Sequence, residues 1–399
     1  MVINFLDYLA NIAKNVERNV NKNLRGNNMK KFGVQSIGLI APIIRKGDDL
    51  AEIVTDVVLD AVDNIEDGDI IGITESIVAR AAGTYVTIDE MAEDIKKITK
   101  NPRIITLFNP IYSRNRFAMI LKAFARAAKE KIIINMPEVD EVGNVLRKHP
   151  FTGLNYDEYY KSIVESEGKK CVIITEDDNW RDITESEVIV DCRLHLADNF
   201  DNDCFTLRDF CRNKCEWGLL GSNKASEEKL KLFPSKYYAQ KLVEEIKANI
   251  FNRTLQKEVE VMVYGDGCFK DPIGGIWEFA DPVTSPAYTK GLEGTPNELK
   301  LKNIADEKYA NLNGKELEEA IKEDIQNKDN DLKGDMVSQG TTPRRYVDLL
   351  ASLMDLTSGS GDKGTPIVYV KGYFDNFATN NKNTYDKVRE LLNPISEKI

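Results

Sequence analysis

Val259-Glu260-Val261-Met262-Val263-Tyr264-Gly265-Asp266-Gly267-Cys268-Phe269-Lys270-Asp271-Pro272-Ile273-Gly274-Gly275 is the stretch on which the reading of this chain turns. The short apolar run, rich in Val, predicts a strand. It leads directly into Gly-Asp-Gly, so one carboxylate sits between two glycines just past the strand, where an α/β protein presents its ligand-binding groups. Glycine on both sides lets the backbone turn sharply and approach a ligand, while Asp266 and Asp271 offer hard oxygen ligands suited to Mg²⁺ or Mn²⁺. The same residues also fit an ordinary tight turn, so the motif takes its meaning from its surroundings.

The chain has 399 residues, 42% hydrophobic and 30% charged, enough for two or more cores. With 54 Lys+Arg against 65 Asp+Glu the net charge is −11, which argues against nucleic acid as a partner and leaves anionic ligands to local sites. No apolar run reaches the roughly 18 residues of a membrane span, and the first residues lack the basic-then-apolar order of a signal peptide, so the expected compartment is the cytoplasm. Leu6, Leu9, Ile12, Val16, Val20 and Leu24 recur at helical spacing, which predicts an N-terminal amphipathic helix over 1–30 that packs on its own protein or on a second subunit. Six Cys in such a chain do not suggest disulfides. Cys192, Cys204, Cys211 and Cys215, with His195, are a candidate zinc set, but they contain no Cys-x-x-Cys knuckle, and reduced thiols are the simpler reading. With His149 and His195 the only histidines, acid–base work falls more naturally to carboxylates, water or a metal-bound group.

Val34 to Ala41 reads as a strand, and Asp48 as the cap or first-turn acid of a helix running to about Ile65. Ile70-Ile71-Gly72-Ile73 is a buried-type strand ending in Thr74-Glu75-Ser76, followed by a helical segment that carries Arg80 and stops at Gly83. Helical pattern returns over Ile88–Ile98 and Arg116–Glu130. The part over 131–215 contains two strand-like runs, Ile132–Ile134 and Val172–Ile174, in otherwise acidic and irregular sequence, and reads as an inserted or variable lobe. A helix from Ser235 to about Asn252 precedes the opening strand, and 305–342 is a charged connector. Tyr346–Leu356 is an amphipathic helix, Thr357 to Gly364 a Gly-rich loop, and Pro366–Val370 a closing strand. The expected fold is thus mixed α/β (α+β) with mixed sheets and two or more lobes, its main parts lying over 31–130, 216–304 and 343–399.

Three separated segments resemble the coenzyme F420-0:L-glutamate ligase (F420-0 gamma-glutamyl ligase) family. The first holds Gly38-Leu39-Ile40-Ala41, Gly47-Asp48-Asp49-Leu50-Ala51-Glu52, Asp67-Gly68-Asp69-Ile70 and Ile77 to Gly83. The second holds Gly221-Ser222-Asn223, Leu232-Phe233-Pro234 and Gly265-Asp266-Gly267-Cys268-Phe269. The third holds Asp348 to Met354, the Gly-rich loop and Gly364 to Tyr373. They stand in the family's order and cover about half the chain. Members attach γ-linked glutamate to a deazaflavin coenzyme precursor with GTP and divalent metal, so the resemblance implies a gamma-glutamyl ligase-like fold, a GTP or ATP site, Mg²⁺ or Mn²⁺, and a homodimer.

The resemblance places Asp266 on a metal-binding aspartate, with Asp271 and Ser360 as further candidate metal ligands. It places Asn223 on a nucleotide-contacting asparagine, and Ser358, Gly359, Ser360, Gly361 and Asp362 on the guanine-nucleotide loop, with Ile40 in the corresponding first loop. Arg80 stands where the family has a lysine, which keeps a positive charge for phosphate. Glu75 stands in place of a serine, Leu220 in place of the second metal-binding aspartate, and Gly267 in place of a hydroxyl residue. Two divalent ions need several carboxylates, so these departures leave two readings. One is an active nucleotide- and metal-dependent ligase with Asp266 and Arg80 as catalytic residues; the other is a ligand- or nucleotide-binding protein of the same fold without turnover.

Overall fold

The computed structural model describes residues 33–108, 114–138, 145, 147–149, 152–175, 185–192, 204–265, 267–270, 277–280, 287–296, 299–328, 345–359 and 361–378. The N-terminal stripe over 1–30 and most of the segment after 328 in the charged connector lie outside them. After β1 (Gln35–Leu39) comes the helix Leu50–Ala61, capped by Asp49, whose carboxylate accepts the Glu52 amide. The expected cap, Asp48, instead accepts from the Arg45 amide at 2.7 Å and closes the preceding turn. β2 (Ile70–Thr74) passes directly into the helix Glu75–Ala82, which stops at Gly83 in the left-handed region. β3 (Tyr85–Thr87) enters the helix Ile88–Thr99 through a reciprocal capping box between Thr87 and Glu90.

β4 (Ile104–Phe108), the helix Arg114–Ala127, β5 (Lys131–Asn135), the helix Tyr156–Ser166, β6 (Lys170–Ile174), β7 (Val188–Asp191) and β8 (Cys204–Thr206) build a five-stranded sheet of order β6-β5-β4-β7-β8. All its pairings are parallel. Every residue of Ile104-Ile105-Thr106-Leu107-Phe108 is buried, as a strand covered on both faces requires. The chain order reverses between β4 and β7, where Asn135, Phe108 and Asp191 stand in one row at the carboxyl ends.

β9 (Ser222–Lys224) and β10 (Lys229–Leu232) join β3 in a three-stranded antiparallel sheet of order β3-β10-β9. Side chains alternate along β10. Leu230 and Leu232 enter the core of the parallel-sheet lobe together with Val86, while Lys231 turns the other way.

Ser235 caps the long helix Lys236–Arg253, which leads to β11 (Glu260–Tyr264). β12 (Gly267–Lys270) pairs with β13 (Trp277–Ala280), and β14 (Ala287–Tyr288) returns beside β11. The helices Gly314–Asn327 and Tyr346–Ser358 precede β15 (Ile367–Lys371). The central sheet has the order β1-β15-β2-β11-β14, with β2 and β11 parallel and the other neighbours antiparallel. One face, through Ile71, Ile73, Val261 and Val263, packs on the helices Leu50–Ala61 and Lys236–Arg253; the other, through Ile70, Met262 and Val368, packs on Tyr346–Ser358. No helix among the described residues is long and apolar enough to cross a membrane.

Gly72 sits where the helix Tyr346–Ser358 crosses β2: a Cβ there would meet Met354 Sδ at 2.1 Å. Gly72→Ala is therefore expected to cost about 1–3 kcal/mol, read from the urea midpoint, and to cost measurably less in a Met354→Ala background. Equal costs in the two backgrounds would count against this contact.

Candidate functional site

β1 and β2 run the same way, β11 is parallel to β2, and β15 is antiparallel to both β1 and β2. Leu39, Ile367, Ile73 and Val263 consequently form one row across the sheet, and the chain leaves that row at a single edge in every case. Ile40, Thr74-Glu75, Tyr264-Gly265 and the loop before Pro366 all emerge there. Backbone bonds tie the exits together: the Ala41 amide donates to the Gly364 carbonyl at 3.1 Å, and the Thr74 amide to the Pro366 carbonyl at 2.9 Å. Ile40 is 76% exposed at this rim.

Glu75 opens the helix Glu75–Ala82, where the partial positive charge of the helix start favours a carboxylate. It is buried, and its Oε1 accepts from Lys231 Nζ at 2.7 Å. Its stem also fills the space against β11: a Cβ on Gly265 would lie 2.6 Å from Glu75 Cγ, and Gly265 has φ +139°. Only glycine fits at the exit that carries Asp266.

Lys231 stands opposite Tyr85 on one side and Asn223 on the other, so the three side chains share one face of the small sheet. That face looks toward Glu75, while the opposite face is core. Burial is the main cause holding the Tyr85 phenol above its ordinary value; Arg80 lowers it and Glu75 raises it, which places both within electrostatic reach. Arg80 is exposed at its tip, and its Nε donates to the Ile44 carbonyl at 3.0 Å. Behind β9 the buried Arg116 donates to the Ser222 carbonyl at 3.2 Å.

The chain before Pro366 leads into β15, which lies between β1 and β2 in the central sheet. Ser358 ends the helix Tyr346–Ser358, Thr365 Oγ1 donates to its carbonyl at 2.9 Å, and the buried Tyr264 hydroxyl, raised chiefly by burial, has Ser358 as its neighbour. Gly359 follows with φ 61°, and Gly361 and Asp362 lie in the short turn Gly361–Lys363. The structure thus gathers Ile40, Glu75, Arg80, Asn223, Ser358 and Gly359 around one edge. Asp266, Asp271 and Ser360 lie outside the described residues; Gly267 opens β12.

Leu220 is a core residue, 2% exposed among the apolar side chains of the parallel-sheet lobe. It offers no oxygen, and the Glu75 carboxylate at the sheet edge is engaged with Lys231. Among the described residues no group of three or more His, Cys, Asp or Glu is placed to hold a metal. Cys192, Cys211 and Cys215 are buried in the lobe core and Cys204 is half-buried on β8; His195 lies outside the described residues. Cys192 has Cys204 as a neighbour, whereas Cys211 is surrounded by Asp94, Glu90 and Lys214. Burial pushes the Cys211 and Cys215 thiols up to about 12, opposite to the thiolate that zinc requires.

Lys231 and Tyr85 were not singled out from the sequence. The available signal was a lysine between two leucines in Lys229-Leu230-Lys231-Leu232, which puts a charge on a strand's second face without saying what that face meets.

The F420-0:gamma-glutamyl ligase family model matches residues 38–372, most of the chain. A search of curated proteins returns no match.

Two outcomes follow from this geometry. Glu75→Ala leaves an ammonium buried without its carboxylate and is expected to lower stability by roughly 3–5 kcal/mol, whereas Glu75→Gln with Lys231→Met should come close to wild type in a urea melt; matching midpoints for the two variants would contradict the buried pair. At pH 8, below the raised thiol values, Cys192, Cys211 and Cys215 should resist iodoacetamide in the folded chain and label fully in urea, as peptide mass mapping reports. Rapid labelling of Cys211 and Cys215 in the folded chain would overturn their placement in the core.

Proposed function

The chain belongs to the F420-0:gamma-glutamyl ligase family, and from that premise we propose that it forms an amide bond between a carboxylate and an amino acid such as glutamate, with GTP or ATP as the phosphoryl donor. The observation that carries this reading is the convergence of four chain exits, at Ile40, Glu75, Gly265 and Ser358 to Thr365, on one sheet edge faced by Arg80 and Asn223. Open α/β sheets place their ligands outside the carboxyl ends of the strands, at such an edge.

In this reading a substrate carboxylate oxygen attacks the terminal phosphorus of the nucleotide, the bond to the bridging oxygen breaks, and an acyl phosphate and the nucleoside diphosphate result. The amine then attacks the acyl carbon, phosphate leaves, and the amine's proton passes to solvent or to a carboxylate. Arg80 contributes a fork of donors to phosphate oxygens, and Asn223 an amide that orients the nucleotide. The exposed Ile40 offers an apolar contact for a ring. Positioning and fixed charge supply most of the catalysis in phosphoryl transfer, so these groups need only hold reactants in line. Asp266 and Asp271 are the residues to which Mg²⁺ or Mn²⁺ falls; bound there, the ion would neutralise phosphate charge. The described donors do not complete a two-metal arrangement. A homodimer belongs to the same reading.

Leu220 in the core and Glu75 engaged by Lys231 favour the second reading, a nucleotide-binding protein without turnover. Calorimetry with GTP and ATP, with and without Mg²⁺ or Mn²⁺, is expected to show metal-dependent binding that Asp266→Ala abolishes, and phosphate release on adding glutamate and a carboxylate acceptor separates ligase from binder. Absence of nucleotide binding under every condition would falsify both readings.

A further inference from the structure

Lys231 is the feature of this site that neither its apolar surroundings nor its strand accounts for. Its side chain is 10% exposed, that of Glu75 is 6% exposed, and a buried ammonium is costly unless its donors are used. An ammonium has three N–H groups. Glu75 takes one, and among the described residues Lys231 has no other hydrogen-bond partner. The row Tyr85, Lys231, Asn223 lies on the face turned to the sheet edge, with Arg80 a second cation close to Tyr85. Lys231 and Glu75 are the buried part of this face, where charge–charge attraction is screened least, while Tyr85 and Asn223 are half-buried and Arg80 is exposed.

We propose that Lys231 receives the anionic oxygens of a phosphate-bearing ligand in this chain, and that Glu75 is its positioning residue. This rests on the nucleotide reading above for the identity of the ligand but not for the chemistry of the subsite, which any polyphosphate shares. Glu75 holds the ammonium at the height of Asn223 and simultaneously fills the space beneath Gly265, so one carboxylate sets both the cation and the exit that carries Asp266. An arriving phosphate competes with Glu75 for the same ammonium. Removing the charge of Glu75 therefore strengthens anion binding, and removing Lys231 weakens it. A purely structural ion pair predicts changes in stability and none of these changes in affinity.

The test is calorimetry on the full chain with inorganic tripolyphosphate, GTP and ATP as probes. Glu75→Gln keeps the shape of the site and leaves Lys231 charged without its carboxylate, so it is expected to fold with lowered stability, while Glu75→Gln with Lys231→Met leaves no buried charge unpaired and is expected to fold close to wild type; a thermal melt checks both. Tripolyphosphate should bind Glu75→Gln more tightly than wild type, and the double variant about tenfold or more below Glu75→Gln, the scale of one charge-assisted hydrogen bond. Glu75→Gln with Lys231→Arg should retain most of the affinity. Tripolyphosphate binding that depends on Lys231 while neither nucleotide binds would uphold the subsite and remove the nucleotide reading. Nucleotide binding that is equal in Glu75→Gln and the double variant would overturn the subsite and leave the nucleotide reading standing. No tripolyphosphate binding to any folded variant would also overturn it.

Discussion

The ion pair between Glu75 and Lys231 joins two sheets that share no strand. Glu75 starts the helix that leaves β2 of the central sheet, and Lys231 sits in the middle strand of the small sheet whose other face is core of the parallel-sheet lobe. Two desolvated charges at 2.7 Å hold each other strongly to one geometry, because separating them leaves each without compensation. The small sheet is therefore a wall with two chemistries: Val86, Leu230 and Leu232 bind it to one lobe, and Tyr85, Lys231 and Asn223 present it to the edge of the other.

That arrangement bears on Glu75 and Leu220, the positions where the resemblance implies a serine and a metal-binding aspartate. An acid at position 75 is repulsive to phosphate when considered alone; beside Lys231 its charge is balanced, and the site keeps Arg80 as a further cation. Leu220 belongs to the apolar interior of the parallel-sheet lobe, a setting that rewards a leucine and penalises an unpaired aspartate.

Much of the central fold was legible in the residues. Ile70 to Ile73 and Val259 to Val263 are β-rich runs bounded by turn residues, the stop at Gly83 is a left-handed helix end, and the order of segments around Asn223, Asp266 and the Gly-rich loop carried the family assignment. The parallel sheet was only half legible. Ile132–Ile134 and Val172–Ile174 read as strands, and β4 is an equally β-rich run set between Asn101-Pro102 and Asn109-Pro110, but β7 and β8 are short and lie among polar segments, so local pattern alone does not separate them from loops. Nor does pattern reveal pairing: the neighbours of β4 are β5 and β7, a relation set by tertiary packing. Lys231 was missed for the same reason, since its partner is 156 residues away in sequence. Asp48 and Asp49 were indistinguishable as caps because either side chain can accept an amide at a helix start; the backbone turn at Arg45 decides between them.

Ligand is expected to bind at the edge where β1, β2 and β11 end, and not at the other carboxyl edge of the molecule, where Asn135, Phe108 and Asp191 line up in the parallel sheet. Hydrogen–deuterium exchange on the full chain, with and without saturating nucleotide and Mn²⁺, tests it directly. Binding at this edge should slow exchange over residues 40–48, 75–80, 222–224 and 359–365 and leave the parallel sheet unchanged. Slowing confined to segments around Asn135, Asp191 and Thr206 would contradict it.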